Sequence, residues 1–202
     1  MPYRSTQAAR RELSALAHTQ GGYFTAKQAA VVGYGKRHLD YHVKAGNFER
    51  VERGLYKITA FPPSDHDDLI RLSLWSRGRD DKPQAVVSHE TALDVYGLGE
   101  LLPTRIHLTV PRSFRKRPPA GCVLHKAKLT SREIAKWEGF LVTSPIRTLL
   151  DIAETDSVTH EQLHRIVEQA LANGIVRRTK LVDAVNRQTT VSRISKVLNL
   201  SG

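Results

Sequence analysis

The chain has 202 residues, a formal net charge of +11 and an isoelectric point of about 10. Its hydrophobic content of 40% can supply a packed core, which excludes intrinsic disorder and a collagen-like architecture. Its apolar stretches fall short of the ~20 residues of a membrane span, and its single cysteine excludes an internal disulfide framework. We therefore expect a cytoplasmic protein with no signal peptide, no membrane contact and no cofactor.

The positive charge is concentrated in two blocks of the sequence. Residues 1–59 carry ten Lys/Arg against four Asp/Glu, and residues 112–139 carry eight against two. Between them, residues 60–111 have an excess of acidic side chains. Two basic blocks separated by an acidic one predict two surfaces that face polyanions, or one such surface and a second one for a protein partner.

Three helices are predicted in the first basic block. Apolar residues recur with helical spacing over 5–20, and Thr25 with Gln28 forms a capping box that opens a short second helix. Residues 36–44 follow as a third helix, with Leu39 on its inward face and polar or basic side chains around the rest.

A β-hairpin is predicted directly after the third helix. The β-prone runs 48–52 and 55–58 are joined by Arg53-Gly54, a two-residue connection typical of hairpins. Three helices and a hairpin in roughly sixty residues indicate a winged helix, a form of helix-turn-helix whose third helix enters the major groove of DNA. We expect the DNA contacts to come from Lys36, Arg37, His38, Tyr41 and Lys44 on the helix and from Arg50, Arg53 and Lys57 on the hairpin. A winged helix that contacts only proteins is the alternative.

The rest of the chain mixes helical and strand patterns after a short stiff junction at residues 60–63. Helices are predicted to begin at Ser64, at Ser88 and at Ser144-Pro145, and the tail after residue 159 is helical in pattern. Strands are predicted at 106–110, 123–129 and 140–142. The expected fold class is α+β: a winged helix-turn-helix over 1–60, followed over 64–202 by an α+β domain with a small β-sheet and a helical C-terminal tail.

A basic segment lies between two of the predicted strands. It contains Arg112, Arg115, Lys116 and Arg117 and ends in two prolines. Such a segment can bind nucleic acid or an acidic partner surface. Its alternative interpretation is a solvated hairpin connection.

One motif has the spacing of a catalytic metal site. His160-Glu161-Gln162-Leu163-His164 fits H-E-x-x-H, in which two histidines bind zinc and the glutamate is a general base. However, Thr159 and Gln162 form a capping box that places His160 in the first turn of a helix, and no downstream ligand motif follows.

The other histidines give weaker patterns. Ser88-His89-Glu90 is contiguous, and helical neighbours do not face one another, so it is not a hydrolase triad. His107 and His125 can come close on adjacent strands, a placement more typical of structural histidines. We therefore expect no catalytic residues, no metal site and no enzymatic activity.

Six motifs are spread over roughly residues 20–155. They are Gly-Tyr-Phe-Thr-Ala-Lys-Gln-Ala (22–29), Lys-Arg-His-Leu (36–39), Phe-Glu-Arg-Val-Glu-Arg-Gly-Leu-Tyr (48–56), Val-Ser-His-Glu-Thr-Ala-Leu (87–93), Ile-His-Leu-Thr-Val-Pro (106–111) and Thr-Ser-Pro-Ile-Arg-Thr-Leu-Leu-Asp (143–151). Together they resemble the AbiEi family, the antitoxins of type IV toxin–antitoxin operons.

The resemblance implies a bacterial antitoxin with two activities. Its winged helix would repress its own operon by binding repeats in the promoter. The domain over 64–202 would counteract a nucleotidyltransferase-type toxin encoded alongside, directly or indirectly.

Two other functions remain open from the residues alone. The first is a DNA-binding transcription factor whose C-terminal domain senses a small ligand, which the absence of a neighbouring nucleotidyltransferase gene would favour. The second is an H-E-x-x-H metallopeptidase fused to a DNA-binding domain, which stoichiometric zinc lost on His164→Ala would favour.

Overall fold

The protein divides into two compact units in a computed structural model that describes residues 6–100, 103–187 and 192–199. The first unit comprises Met1–Pro83 with Lys136–Phe140, and the second comprises Gln84–Ala135 with Leu141–Gly202. Both contain helices and a small sheet, so the fold is α+β as the sequence predicts. In the described ranges, no helix combines the length and apolar character that crossing a membrane requires.

The first unit contains the predicted three helices and hairpin in the predicted order. Its elements are α1 (Thr6–His18), β1 (Tyr23–Thr25), α2 (Ala26–Val31), α3 (Lys36–Lys44), β2 (Phe48–Glu52), β3 (Leu55–Ile58) and α4 (Asp67–Trp75). Strand β1 was not predicted, because three residues are too few to show an alternating pattern. It pairs antiparallel with β3, which gives a three-stranded sheet in the order β1-β3-β2.

Short-range hydrogen bonds fix the starts of these elements. The Thr25 hydroxyl accepts from the Gln28 N–H at 3.1 Å and the Gln28 side chain accepts from the Thr25 N–H at 2.8 Å, which confirms the capping box of α2. The hairpin turns over Arg53 and Gly54, and Gly54 has φ +79°, a value that only glycine adopts without strain.

An aromatic cluster fills the core of the first unit. The Phe24 ring stacks on Tyr56 with centroids 5.7 Å apart and meets the edge of Phe48 at 5.0 Å. Leu39 of α3 is buried in the same core, with 3% of its surface exposed. Helix α3 is therefore held by one apolar face, and its polar face is turned to solvent.

The boundary expected at residues 60–64 lies inside the first unit. The Asp67 carboxylate of α4 accepts hydrogen bonds from Lys57 at 2.7 Å and from the Tyr23 hydroxyl at 3.0 Å. These bonds join α4 to the three-stranded sheet. The helix begins at Asp67 with His66 at its N-cap position, rather than being capped by Ser64 as predicted.

The second unit contains a mixed sheet and a set of C-terminal helices. Its elements are β4 (Val86–Val87), α5 (His89–Val95), β5 (Ile106–Val110), β6 (Cys122–Lys126), β7 (Ile134–Lys136), β8 (Leu141–Thr143), α6 (Pro145–Ala153), α7 (His160–Ala172), α8 (Arg178–Asn186) and α9 (Ser192–Val197). The strand order is β6-β5-β4-β8-β7. Strands β5 and β6 are parallel, so the basic segment between them is not a hairpin connection.

The motif over 143–151 contains the N-cap and most of α6, and its Arg147 side chain forms two ion pairs. Ser144 caps the helix as predicted. Arg147 donates to Asp151 at 2.7 Å and to Glu133 at 2.6 Å. Asp151 is buried, and burial raises the pKa of its carboxyl group to about 6 despite the adjacent guanidinium.

Apolar side chains from the C-terminal helices form the core of the second unit. The predicted capping box of Thr159 and Gln162 opens α7, whose apolar stripe is buried. Residues 188–191, which belong to the predicted helical tail, lie outside the described residues. The fully buried side chains here include Leu93, Leu149, Ile152, Leu163, Leu181 and Ile194.

Removal of the buried Leu39 side chain tests the packing of α3. We expect Leu39→Ala to lower the free energy of unfolding by about 2–5 kcal/mol, because it leaves a cavity beneath the helix. Both tryptophans, Trp75 and Trp137, belong to the first unit, so urea denaturation followed by tryptophan fluorescence reports on this unit. The control is Val31→Ala, since Val31 is 77% exposed and its change should stay within about 0.5 kcal/mol. Equal losses in both variants would contradict the packing described here.

Candidate functional site

Helix α3 presents a basic and aromatic face to solvent. Lys36, Arg37 and His38 occupy its first turn and are exposed. Tyr41 is one of the few large exposed hydrophobic residues, with 66% of its surface accessible, and Lys44 lies exposed at the end of the helix. All five predicted contact residues of this helix are therefore accessible to a ligand.

The β2–β3 hairpin adds two further cations. Arg50 lies exposed on β2, and Arg53 is exposed in the turn. The described part of the chain contains no ion pair that involves either arginine or the cations of α3. The helix and hairpin together thus offer five exposed positive charges, which are those of Lys36, Arg37, Lys44, Arg50 and Arg53.

One predicted contact residue is not available at this surface. Lys57 is 8% exposed; its ammonium group binds Asp67 at 2.7 Å and lies 4.8 Å from the centre of the Tyr23 ring. Lys57 is buried because β3 is the central strand of the sheet, and its side chain binds Asp67 of α4 instead of facing solvent with the other cations.

Acidic side chains near the hairpin are partly compensated within the same unit. Arg71 of α4 donates to the carboxylate of Glu52, and this hydrogen bond raises the pKa of the Arg71 guanidinium. The charge of Glu52 is therefore balanced locally. Asp40 and Glu49 remain as exposed acidic groups among the five cations, so the local balance stays positive.

In the second unit, the basic segment is anchored by an aromatic side chain. Phe114 is 4% exposed, whereas Arg112, Arg115, Lys116 and Arg117 around it are exposed. Because β5 and β6 are parallel, residues 111–121 must run back along the strands to begin β6 at the same end. The segment is thus a fixed crossover with a basic outer surface.

The side chains of three histidines converge in the second unit, and the sequence did not predict a site there. His89 begins α5, and His107 and His125 lie on the same face of the parallel strands β5 and β6. The rings of His89 and His125 stack with centroids 3.7 Å apart, and His125 Nε2 lies 3.1 Å from His107 Nδ1. We refer to these three residues as the histidine cluster.

The position of His89 depends on the strand beside it. The Ser88 N–H donates to the His107 carbonyl oxygen at 3.0 Å, which fixes the start of α5 against β5. Sequence reasoning placed His107 and His125 on neighbouring strands but missed His89, because the pairing of β4 with β5 joins segments about twenty residues apart. The motif Ser88-His89-Glu90 was the sequence signal that could have drawn attention to His89.

Burial keeps two rings of the histidine cluster, those of His89 and His125, uncharged. Burial, with smaller contributions from the neighbouring His125 and His107, lowers the pKa of His89 to about 3, and Glu90 opposes this shift. Burial also lowers the pKa of His125. Both rings are therefore neutral at pH 7, with lone pairs on their unprotonated nitrogens.

The H-E-x-x-H motif does not join this cluster. His160, Glu161 and His164 are exposed on α7. Within the described ranges, the histidine cluster is the one group of three or more His, Cys, Asp or Glu side chains whose ligand atoms converge. The α7 motif therefore gathers no third ligand among these residues.

Comparisons with known proteins agree with the division into two units. A family model described as "Transcriptional regulator, AbiEi antitoxin" matches residues 11–59, and one described as "AbiEi antitoxin C-terminal domain" matches residues 85–200. No curated protein matches the chain at a significant level.

A solved structure shares the fold. The RV2827C protein from Mycobacterium tuberculosis aligns with a TM-score of 0.54 and 18% identity, over 97% of this chain and 78% of that one. At this identity the similarity shows the fold alone. The family follows from the sequence models, since the C-terminal domain model alone covers more than half of the chain: the protein belongs to the AbiEi antitoxins, with a transcriptional-regulator domain at its N-terminus.

Proposed function

We propose that this antitoxin binds double-stranded DNA through α3 and the β2–β3 hairpin, and that it represses its own operon in the bacterial cytoplasm. The observation that carries the proposal is the group of five exposed cations and the exposed Tyr41 on one helix and the adjoining hairpin. Phosphate groups attract such a surface, and helix-turn-helix domains read sequence through the same helix.

The dimensions of α3 suit the major groove. An α-helix with its side chains is about 10–12 Å across, and the major groove is about 12 Å wide, so the groove admits one helix such as α3. In helix-turn-helix domains the N-terminal residues of the recognition helix contact base edges. Lys36, Arg37 and His38 occupy this position, and Arg37 has the geometry for two hydrogen bonds to guanine.

The hairpin is suited to the DNA backbone. Arg53 projects from a two-residue turn and Arg50 lies on the exposed strand β2. Contacts to phosphates orient a protein on DNA without reading its sequence. Since one such domain reads few base pairs, we propose that two copies bind repeats in the promoter.

For the second unit we propose the neutralising role of a type IV antitoxin. The C-terminal domain model supports this role, and the expected opponent is a nucleotidyltransferase-type toxin encoded in the same operon. The basic crossover at 111–121 is the surface that we assign to an acidic protein or to RNA. A ligand-sensing transcription factor is the second candidate, and the absence of a nucleotidyltransferase gene beside this one would favour it.

Two arginine variants test the DNA surface. We expect Arg37→Ala and Arg53→Ala each to weaken binding to the promoter by about 1–3 kcal/mol, roughly 5- to 150-fold, because each removes a charged contact. Fluorescence anisotropy with labelled promoter DNA measures this at fixed salt. The control is Arg165→Ala, which removes an exposed arginine of α7 in the second unit and should leave the affinity unchanged. Unchanged affinity in both test variants would rule out this surface.

The salt dependence of DNA binding distinguishes the roles proposed for Arg37 and Arg53. Each neutralised phosphate contributes about −0.9 to the slope of log K against log salt concentration. We expect Arg53→Ala to reduce the steepness of this slope by about one, because Arg53 is assigned to the backbone. Arg37→Ala should instead reduce the preference for the promoter over unrelated DNA. A slope that does not respond to Arg53→Ala would contradict the assignment of the hairpin.

The two proposed activities should be separable. We expect the double variant Arg37→Ala/Arg53→Ala to restore growth of cells that express the toxin as well as the unaltered antitoxin does, because both changes lie in the first unit. Expression from an unrelated promoter removes the effect of lost repression. If the folded double variant fails to restore growth, neutralisation requires the DNA surface and our division of roles is wrong.

A further inference from the structure

We propose that the histidine cluster, His89, His107 and His125, binds a divalent transition-metal ion of the zinc class. The site belongs to the second unit and is independent of the proposed DNA surface. It also differs from the H-E-x-x-H motif of α7, which the sequence singles out.

The donor atoms match this class of ion. Imidazole nitrogen is a preferred ligand of zinc, copper and nickel, whereas magnesium and calcium prefer oxygen. A histidine must be neutral to bind a metal.

The distances are close to those of a coordination sphere. Zinc–nitrogen bonds of about 2.0–2.1 Å in a tetrahedral site place two ligand nitrogens roughly 3.3 Å apart. His107 Nδ1 and His125 Nε2 are separated by 3.1 Å. The ligand atoms of all three histidines lie within 4.8 Å of one another, so His89 completes a group of three converging nitrogen ligands.

A buried carboxylate lies beside His107. Glu90 is 9% exposed, and its Oε2 atom is buried without a hydrogen-bond partner. This oxygen lies 3.0 Å from His107 Nδ1, but the contact does not have the alignment of a hydrogen bond. A cation bound by the cluster would place a positive charge beside this carboxylate.

The surroundings of His89 hold its ring in place. The Ser88 hydroxyl lies 2.9 Å from His89 Nδ1 and accepts a hydrogen bond from Thr109 at 2.9 Å. Hydrogen-bond partners outside the coordination sphere orient metal-binding histidines. Since Nδ1 of His89 contacts Ser88, its Nε2 atom is the one that would bind the ion. In addition, His89 has φ +55°, a left-handed conformation that is uncommon outside glycine and that clusters at functional sites.

A bound ion would have a structural consequence. Its ligands come from the start of α5 and from two parallel strands, β5 and β6. An ion that binds the folded unit and not the unfolded chain stabilises the fold by mass action. We therefore assign the site a stabilising role in the second unit.

The first experiment measures zinc binding by the unaltered chain. Full-length protein without a histidine tag is stripped with EDTA and titrated with Zn²⁺ in competition with a chromogenic chelator. We expect one zinc ion per chain with micromolar or tighter affinity, no comparable effect of Mg²⁺, and a rise in the melting temperature of the second unit. Far-UV circular dichroism follows the unfolding of both units, whereas tryptophan fluorescence follows the first unit alone, so a shift seen only by circular dichroism belongs to the second unit. Failure of the unaltered protein to bind zinc at micromolar concentrations overturns the proposal.

Histidine variants then locate the ion. His107→Gln and His125→Gln change different strands, and each should weaken zinc binding at least tenfold. The matched control is the double variant His160→Gln/His164→Gln, which removes two exposed histidines of α7 and should bind zinc like the unaltered protein. Loss of binding in the α7 variant with retention in both cluster variants would overturn the proposal. Visible absorption bands of tetrahedral Co²⁺ in the unaltered protein provide a readout that does not depend on the folding of any variant.

Discussion

The burial of one face of α3 is the constraint on which the account of the first unit depends. Leu39 packs into the aromatic core formed around Phe24 and Tyr56, and this contact fixes the rotation of the helix about its axis. With that rotation fixed, Arg37 and Tyr41 are exposed. The same hydrophobic burial that stabilises the unit therefore also creates its charged surface.

Local sequence signals predicted most elements of the first unit. The capping box at Thr25, the helix over 36–44 and the turn at Arg53-Gly54 depend on residues within a few positions of one another, and all three were correct. Contacts between residues that are distant in the sequence could not be predicted from such local signals. Strand β1 acquires its identity only by pairing with β3, and Lys57 is buried only because Asp67 of α4 binds it.

In the second unit, too, local elements were predicted from the sequence and the pairing of distant segments was not. Its N-caps at Ser144 and Thr159 were predicted from sequence, whereas the parallel pairing of β5 and β6 was not. This pairing converts an apparent hairpin loop into a crossover and places His107 and His125 on one face. Residue types and spacing along the chain could not indicate that His89 joins them, because its position depends on the hydrogen bond between Ser88 and the β5 backbone.

Photo-crosslinking of the full-length protein to its promoter DNA tests most directly whether α3 contacts DNA. A photoreactive phenylalanine analogue replaces Tyr41 on α3, and the same analogue at His164 on α7 is the control, since both positions are exposed. Our account predicts crosslinks to DNA from position 41 that specific competitor DNA abolishes, and none from position 164. Crosslinks from position 164 without any from position 41 would show that a different surface of the protein contacts DNA.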